Sequence, residues 1–156
     1  METKKFLERV LGDGYYSVLG LGDKKVQSFH TTIDDVISEA HKLDAQGINA
    51  YFGLATFQTG NDRTVTNVKS LSSFYLDLDC GEGKEYPNQN EAFVDLKRFI
   101  KETGLPRPML INSGYGVHVY WILTDSISYS EWLPVAQGLK SLCIQHNLLA
   151  DNGVTA

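Results

Sequence analysis

The chain has 156 residues, 42% of them apolar and 21% charged, which is enough for one globular domain with a sizeable core and too few for two. Fourteen Lys and Arg against nineteen Asp and Glu leave a net charge of −5; this argues against a basic protein that coats nucleic acid unspecifically, but not against a nucleic-acid enzyme whose acids hold metal ions. No apolar run reaches the roughly 18–20 residues of a membrane span, and the opening METKKFLERVLGDG carries charges where a secretory signal is apolar, so a cytoplasmic protein without a membrane partner is expected.

Tyr15–Leu21 and Val26–His30 are β-rich runs on either side of Gly22-Asp23-Lys24-Lys25, which predicts a hairpin. Thr32 has the character of a helix N-cap, with Asp35 three residues on. Ile33, Val36, Ile37 and Ala40 then recur at helical spacing until Gly47, predicting an amphipathic helix over 33–45. The segment 49–56 (NAYFGLAT) returns to strand character, and 58–67 is a polar, turn-rich loop that contains Arg63, Thr64 and Asn67. In 73–79 (SFYLDLD) a period of two puts Phe74, Leu76 and Leu78 on one face and Tyr75, Asp77 and Asp79 on the other. After a loop over 80–90, a helix is predicted over 91–103, with Ala92, Leu96, Phe99 and Ile100 inward and Gly104 as its stop.

A strand over 109–111, a tight turn Asn112-Ser113-Gly114-Tyr115-Gly116 and a partner strand over 117–123 follow. On the partner, His118, Tyr120 and Ile122 share one face. Ser130 is expected to cap a last helix over 131–147, with Trp132, Ala136, Leu139 and Cys143 along one stripe and Pro134 tolerated in the first turn. The sequence then reaches the turn Asp151-Asn152-Gly153-Val154-Thr155-Ala156 without the closing strand or helix expected after it. Cys80 and Cys143, with histidines only at 30, 41, 118 and 146, form neither a disulfide framework nor a zinc-finger spacing; they read as two reduced thiols.

Three constellations carry possible chemistry. Asp77 and Asp79 leave one strand end on the same side, and such a pair is tolerated where a divalent cation, Mg²⁺ or Mn²⁺ with hard oxygen ligands, neutralises it. The competing reading is a strand end whose acids face water. Ser113, Gly114, Tyr115 and Gly116 form a glycine-rich turn whose backbone N–H groups can approach an anion, with His118 beside it as a donor to phosphate; the competing reading is a hairpin with no ligand. Asp151 is a further acid late in the chain, otherwise an ordinary turn residue.

Taken together, Arg63-Thr64, Asn67-Val68, FYLDLDCGEGK, GLPRPMLINSGYGVHVYW and LLADNGVTA resemble the archaeo-eukaryotic primase superfamily, in particular the primase-polymerase domains of phages and plasmids. The resemblance implies a DNA primase-polymerase domain that carries out template-directed, two-metal nucleotidyl transfer in DNA replication. Two Mg²⁺ or Mn²⁺ ions would be held by Asp77, Asp79 and Asp151 as the catalytic residues. The nucleoside triphosphate would be held by His118, Ser113, Gly114, Gly116 and Lys84, with Gly116 standing where relatives often have serine. Arg63, Lys69 and Tyr115 are the template-binding candidates on a single-stranded DNA template, and a replicative helicase is allowed as a partner in a bacterial or phage-infected cytoplasm.

Relatives continue into a strand bearing an arginine that helps bind the triphosphate, so a C-terminal truncation is expected, with Asp151 loosely held. The implied fold is α/β (α+β): an RRM-like mixed, largely antiparallel sheet with helices on one face and the acids on the other. A single catalytic domain would span 1–156, made of an N-terminal α/β unit over 1–60 and a metal-binding core over 61–156. The alternatives are a truncated or degenerate single-strand-binding module without activity, a DxD phosphohydrolase, which this chain departs from at Cys80, and a relaxase-like nuclease, for which the Val117–Leu123 strand has one histidine too few.

Overall fold

The computed structural model describes residues 3–151. Residues 152–156, and with them most of the ADNGVTA stretch, lie outside the described residues. The elements are α1 (Thr3–Val10), β1 (Tyr15–Leu21), β2 (Lys25–His30), α2 (Ile33–Ala45), β3 (Asn49–Phe57), a 3₁₀ turn (Val65–Asn67), β4 (Val68–Asp79), α3 (Gln89–Thr103), β5 (Met109–Asn112), β6 (Gly116–Ile127) and α4 (Tyr129–Gln145).

The six strands form a sheet of order β2-β1-β3-β4-β6-β5. The α/β class holds, and the expected mixture of strand directions resolves to an antiparallel sheet. The reason is topological. The crossover through α3 delivers β5 to the edge, and the tight turn then folds β6 back between β5 and β4, so every neighbour of β6 runs opposite to it. Contacts across β4 and β6 agree: Asp77 meets His118 and Tyr75 meets Tyr120, one number falling as the other rises.

The chain divides into two compact units that share β4 and β6, one taking in the chain through Ser72 with Leu123–Tyr129, the other Ser73–Ile122 with the chain from Ser130 onward. In the first, the β1–β2 hairpin pairs Tyr16 with His30 through to Leu21 with Lys25, and β3 pairs with β1 on its other side. Helix α2 lies against these strands with Val36 and Leu43 buried, and its N-cap forms as the sequence predicts, Thr32 Oγ1 accepting from the Asp35 N–H at 3.1 Å. Helix α1, which contacts α2 and buries Leu7 and Val10, is absent from the sequence reading; its eight residues are about two turns, too short a window for a period to stand out among the charges.

In the second unit, the alternation in β4 is realised as predicted: Phe74, Leu76 and Leu78 are buried, whereas Tyr75, Asp77 and Asp79 are half-buried. Trp132 of α4 stacks on Phe74 with ring centroids 5.7 Å apart and donates its indole N–H to the Ser73 carbonyl at 2.9 Å, which fixes α4 on the apolar face. Helix α3 starts at Gln89, two residues before its predicted start, because Asn88 serves as N-cap to the Glu91 N–H at 2.9 Å. Gly104 ends it in the left-handed region. Helix α4 also begins two residues early, at Tyr129, so Ser130 is a first-turn residue rather than the cap and Pro134 lies inside the helix. Pro134 sits on the exposed side, where a missing backbone donor costs least. The predicted stripe Trp132, Ala136, Leu139 and Cys143 is buried.

Trp132→Phe should retain most of the stacking on Phe74 but lose the buried indole hydrogen bond to Ser73, lowering stability by about 0.5–1.5 kcal/mol. Urea denaturation checks this through a lower midpoint at unchanged slope.

Candidate functional site

The polar face of β4 and the neighbouring face of β6 bring four side chains together. His118 Nε2 lies 3.6 Å from Asp77 Oδ1, with the two side chains 30% and 25% exposed. Tyr75 meets the His118 ring edge-on at 5.4 Å and the Tyr120 ring at 5.0 Å. Asp79 follows Asp77 on the same face, half-buried. Asp151 reaches this site through its main chain, its N–H donating to the Asp77 carbonyl at 2.9 Å. The expectation of a loosely held Asp151 therefore gives way at its backbone.

The electrostatics follow from this crowding. Burial pushes the Asp77 carboxyl above its ordinary value; Asp79 and Asp151 push the same way, and His118 and Tyr75 pull it down without cancelling the rise. The phenols of Tyr75 and Tyr120 are pushed up by burial and by the Asp77 charge, so both stay protonated at neutral pH. Burial raises the Cys80 thiol, and Asp79 and Asp77 add to it. Cys80 is therefore a packed thiol and not a nucleophile.

The turn between β5 and β6 abuts the end of β4, since the Cys80 N–H donates to the Tyr115 carbonyl at 2.9 Å. Gly116 occupies a close approach: a Cβ there would collide with the Leu78 carbonyl, which gives glycine rather than serine a packing reason at this position. Gly114, at φ 84°, takes the left-handed conformation of the turn. Its N–H donates to Asn112 Oδ1 at 2.8 Å, and the Ser113 N–H donates to the Gly116 carbonyl at 3.1 Å. The Ser113 and Gly114 amides, two of those expected to approach an anion, are thus engaged within the turn, and a phosphate reaching Gly114 must displace Asn112. Tyr115 is 83% exposed at the tip. Lys84 is exposed in the loop after β4, held by its N–H bond to the Gly81 carbonyl at 3.1 Å. Arg63 and Lys69 are exposed residues of the other unit, on the 58–67 loop and on β4.

Among the described residues, no three His, Cys, Asp or Glu side chains converge as a metal cage. Mg²⁺ in phosphate chemistry is commonly held by one or two carboxylates plus waters and substrate phosphates. The oxygen donors of Asp77 and Asp79, on one strand face and with a net excess of negative charge, fit that requirement. Sequence reading assigned no role to Tyr75, Tyr120 or Tyr86. The alternation already put Tyr75 beside Asp77 and Tyr120 beside His118, and only the cross-strand register was missing. Among the described residues no helix is long and apolar enough to cross a membrane.

No protein-family model matches this chain, and no curated protein matches it. Among solved structures, the fold is similar to that of the AEP domain of cyanophage S-2L primase-polymerase (PrimPol), with a TM-score of 0.58 and 15% identity, over 83% of this chain and 64% of that one. The present chain therefore spans less than two thirds of the length of that domain, and what the two share is the α/β fold.

Asp77 supplies a pH test. A carboxyl held above its unfolded-state value binds its proton more tightly when folded, so it supports the native state at low pH and that support is lost as pH rises through the raised value. In chelator, wild-type protein should lose thermal stability relative to Asp77→Asn as pH rises from about 4 to 7, with the Asn variant at least as stable at pH 7. A less stable Asn variant at pH 7 would show that the ionised carboxylate is favoured by its surroundings. Gly116→Ala should separately destabilise the fold by about 1–3 kcal/mol, because the β4–β6 backbones must part to admit a methyl group. Thermal unfolding of that variant measures the effect.

Proposed function

We propose that this chain is a primase-polymerase-type nucleotidyltransferase domain that joins nucleotides on a single-stranded DNA template. The observation that carries the proposal is the Asp77–Asp79 pair with His118 directly across the strand pair, 3.6 Å from Asp77. The shared fold with a primase-polymerase AEP domain supports it. Asp77, Asp79 and Asp151 would hold two Mg²⁺ or Mn²⁺ ions, which supply Lewis-acid activation of a 3′-hydroxyl and charge neutralisation at a leaving pyrophosphate.

The chain's own groups act by position. The half-buried setting of Asp77 strengthens its attraction for a cation, because water screens it poorly there. His118 stands beside the carboxylates, where its second ring nitrogen can donate to a triphosphate oxygen, with Lys84 and the turn formed by Ser113, Gly114 and Gly116 at the same strand end. The protonated phenols of Tyr75 and Tyr120 form a wall that keeps Asp77 and His118 in place. Arg63 and Lys69 would pair with template phosphates and Tyr115 would stack on a base. A replicative helicase and a bacterial or phage-infected cytoplasm complete the proposed setting.

Incubation with single-stranded template, Mn²⁺ or Mg²⁺ and labelled nucleotides, with and without primer, tests the assignment. Asp77→Ala and Asp79→Ala should each abolish incorporation in a folded protein; wild-type incorporation by either would overturn the metal site. His118→Ala should weaken nucleotide binding about ten- to hundredfold while metal binding is retained, as expected for loss of a charge-assisted hydrogen bond of roughly 1.5–3 kcal/mol. Unchanged nucleotide affinity on titration would make His118 a packing residue.

A further inference from the structure

We propose that Tyr86 is a positioning residue that sets Asp151 against the Asp77–Asp79 pair; the role rests on the metal site proposed above. Tyr86 is 5% exposed and is bonded on both its main chain and its side chain. Its N–H donates to the Asp79 carbonyl at 3.1 Å, and its own carbonyl accepts the Gly81 N–H at 2.8 Å. The phenol oxygen accepts the Leu149 N–H at 3.0 Å and donates to Asp95 Oδ2 at 2.5 Å. One residue therefore holds the last residue of β4 by its backbone and the segment leading to Asp151 by its hydroxyl.

The rest of the surroundings makes that hydroxyl directional. Arg98 Nε bonds to the second Asp95 oxygen at 2.6 Å, so the Asp95 carboxylate stays ionised and accepts from the phenol. That leaves the phenol's lone pairs for Leu149. Burial and Asp95 push the Tyr86 phenol up, which keeps it a donor across the working pH range. The chain leaves α4 through Asn147 in a left-handed turn at φ 56°, and the segment around and after this turn is held at three points. Glu102, itself paired with Arg98 at 3.0 Å, holds His146 at 3.0 Å; Tyr86 holds Leu149; and the Asp77 carbonyl holds the Asp151 N–H at 2.9 Å. A phenylalanine would fill the same space, so packing alone does not require the hydroxyl. What the hydroxyl adds is a fixed distance between β4 and the chain two residues before Asp151.

The test is Tyr86→Phe in the full chain, with amide-resolved hydrogen exchange, Mn²⁺ titration and thermal unfolding. The amides of Leu149 and Asp151 should exchange about tenfold faster while those of the β5–β6 hairpin keep their protection. Mn²⁺ affinity should fall roughly tenfold, the size usual for loss of a group that orients a metal ligand. In an Asp151→Asn background the same substitution should leave Mn²⁺ affinity unchanged while lowering the melting temperature as before. Trp132→Phe, destabilising but outside this arrangement, should not alter Mn²⁺ affinity. Equal Mn²⁺ losses with and without Asp151, or unchanged exchange at Leu149 and Asp151, would overturn the role of Tyr86. If the unsubstituted protein binds no Mn²⁺, the metal site itself is rejected, and the exchange result alone then decides whether Tyr86 sets the position of Asp151.

Discussion

The two-residue period of β4 ties the core to the candidate site, because the strand cannot move one face without moving the other. A one-residue slip that removed Asp77 and Asp79 from their place would turn Phe74, Leu76 and Leu78 out of the interior, and the two leucines are fully buried. Each such side chain is worth about 1.5–3 kcal/mol when buried. Two carboxylates at alternate positions are about 6.6 Å apart by strand rise, and at an effective dielectric of 20 their repulsion is about 2.5 kcal/mol. Three buried apolar side chains outweigh that repulsion, so the core can hold the like charges in register and the strain remains in the site.

That strain is visible in Asp77, whose carboxyl is pushed up by burial and by the neighbouring acids even though His118 and Tyr75 oppose the shift. A site selected only for stability would place an apolar or neutral residue here. The surrounding phenols do not relieve the charge. Their burial lowers the local polarizability, which magnifies any interaction Asp77 makes with a cation as much as it magnifies its repulsion from Asp79. The same surroundings that make the carboxylate unfavourable without a partner thus make it strongly attractive to one.

Around this face, main-chain hydrogen bonds set the positions of the remaining groups. The turn before β6 is joined to the end of β4 through Cys80 and Tyr115, the 80–86 loop folds back so that Tyr86 meets Asp79, and Asp151 meets Asp77. Backbone bonds of this kind hold whatever side chains the positions carry, and they explain how acids far apart in sequence arrive on one strand end. Gly116 shows the accompanying constraint: the approach of β6 to Leu78 is too close for any side chain at that position.

The sequence by itself determined the local pieces: the β1–β2 hairpin, α2 with its Thr32 cap, the stop at Gly104, the buried stripe of α4 and the facing of Asp77 with Asp79. Each depends on period, capping chemistry or turn residues within a few positions, and those act in the same way before the chain folds. The start of α3 was displaced by two residues because a cap is chosen by whichever nearby side chain reaches the free N–H groups, and Asn88 takes that role. Only the tertiary structure decided that His118 stands opposite Asp77, that Tyr75 lies against both His118 and Tyr120, and that Tyr86 joins Asp79 to Leu149. These are pairings across long stretches of sequence, fixed by strand register and by burial of side chains from separate elements, and no spacing within one segment records them.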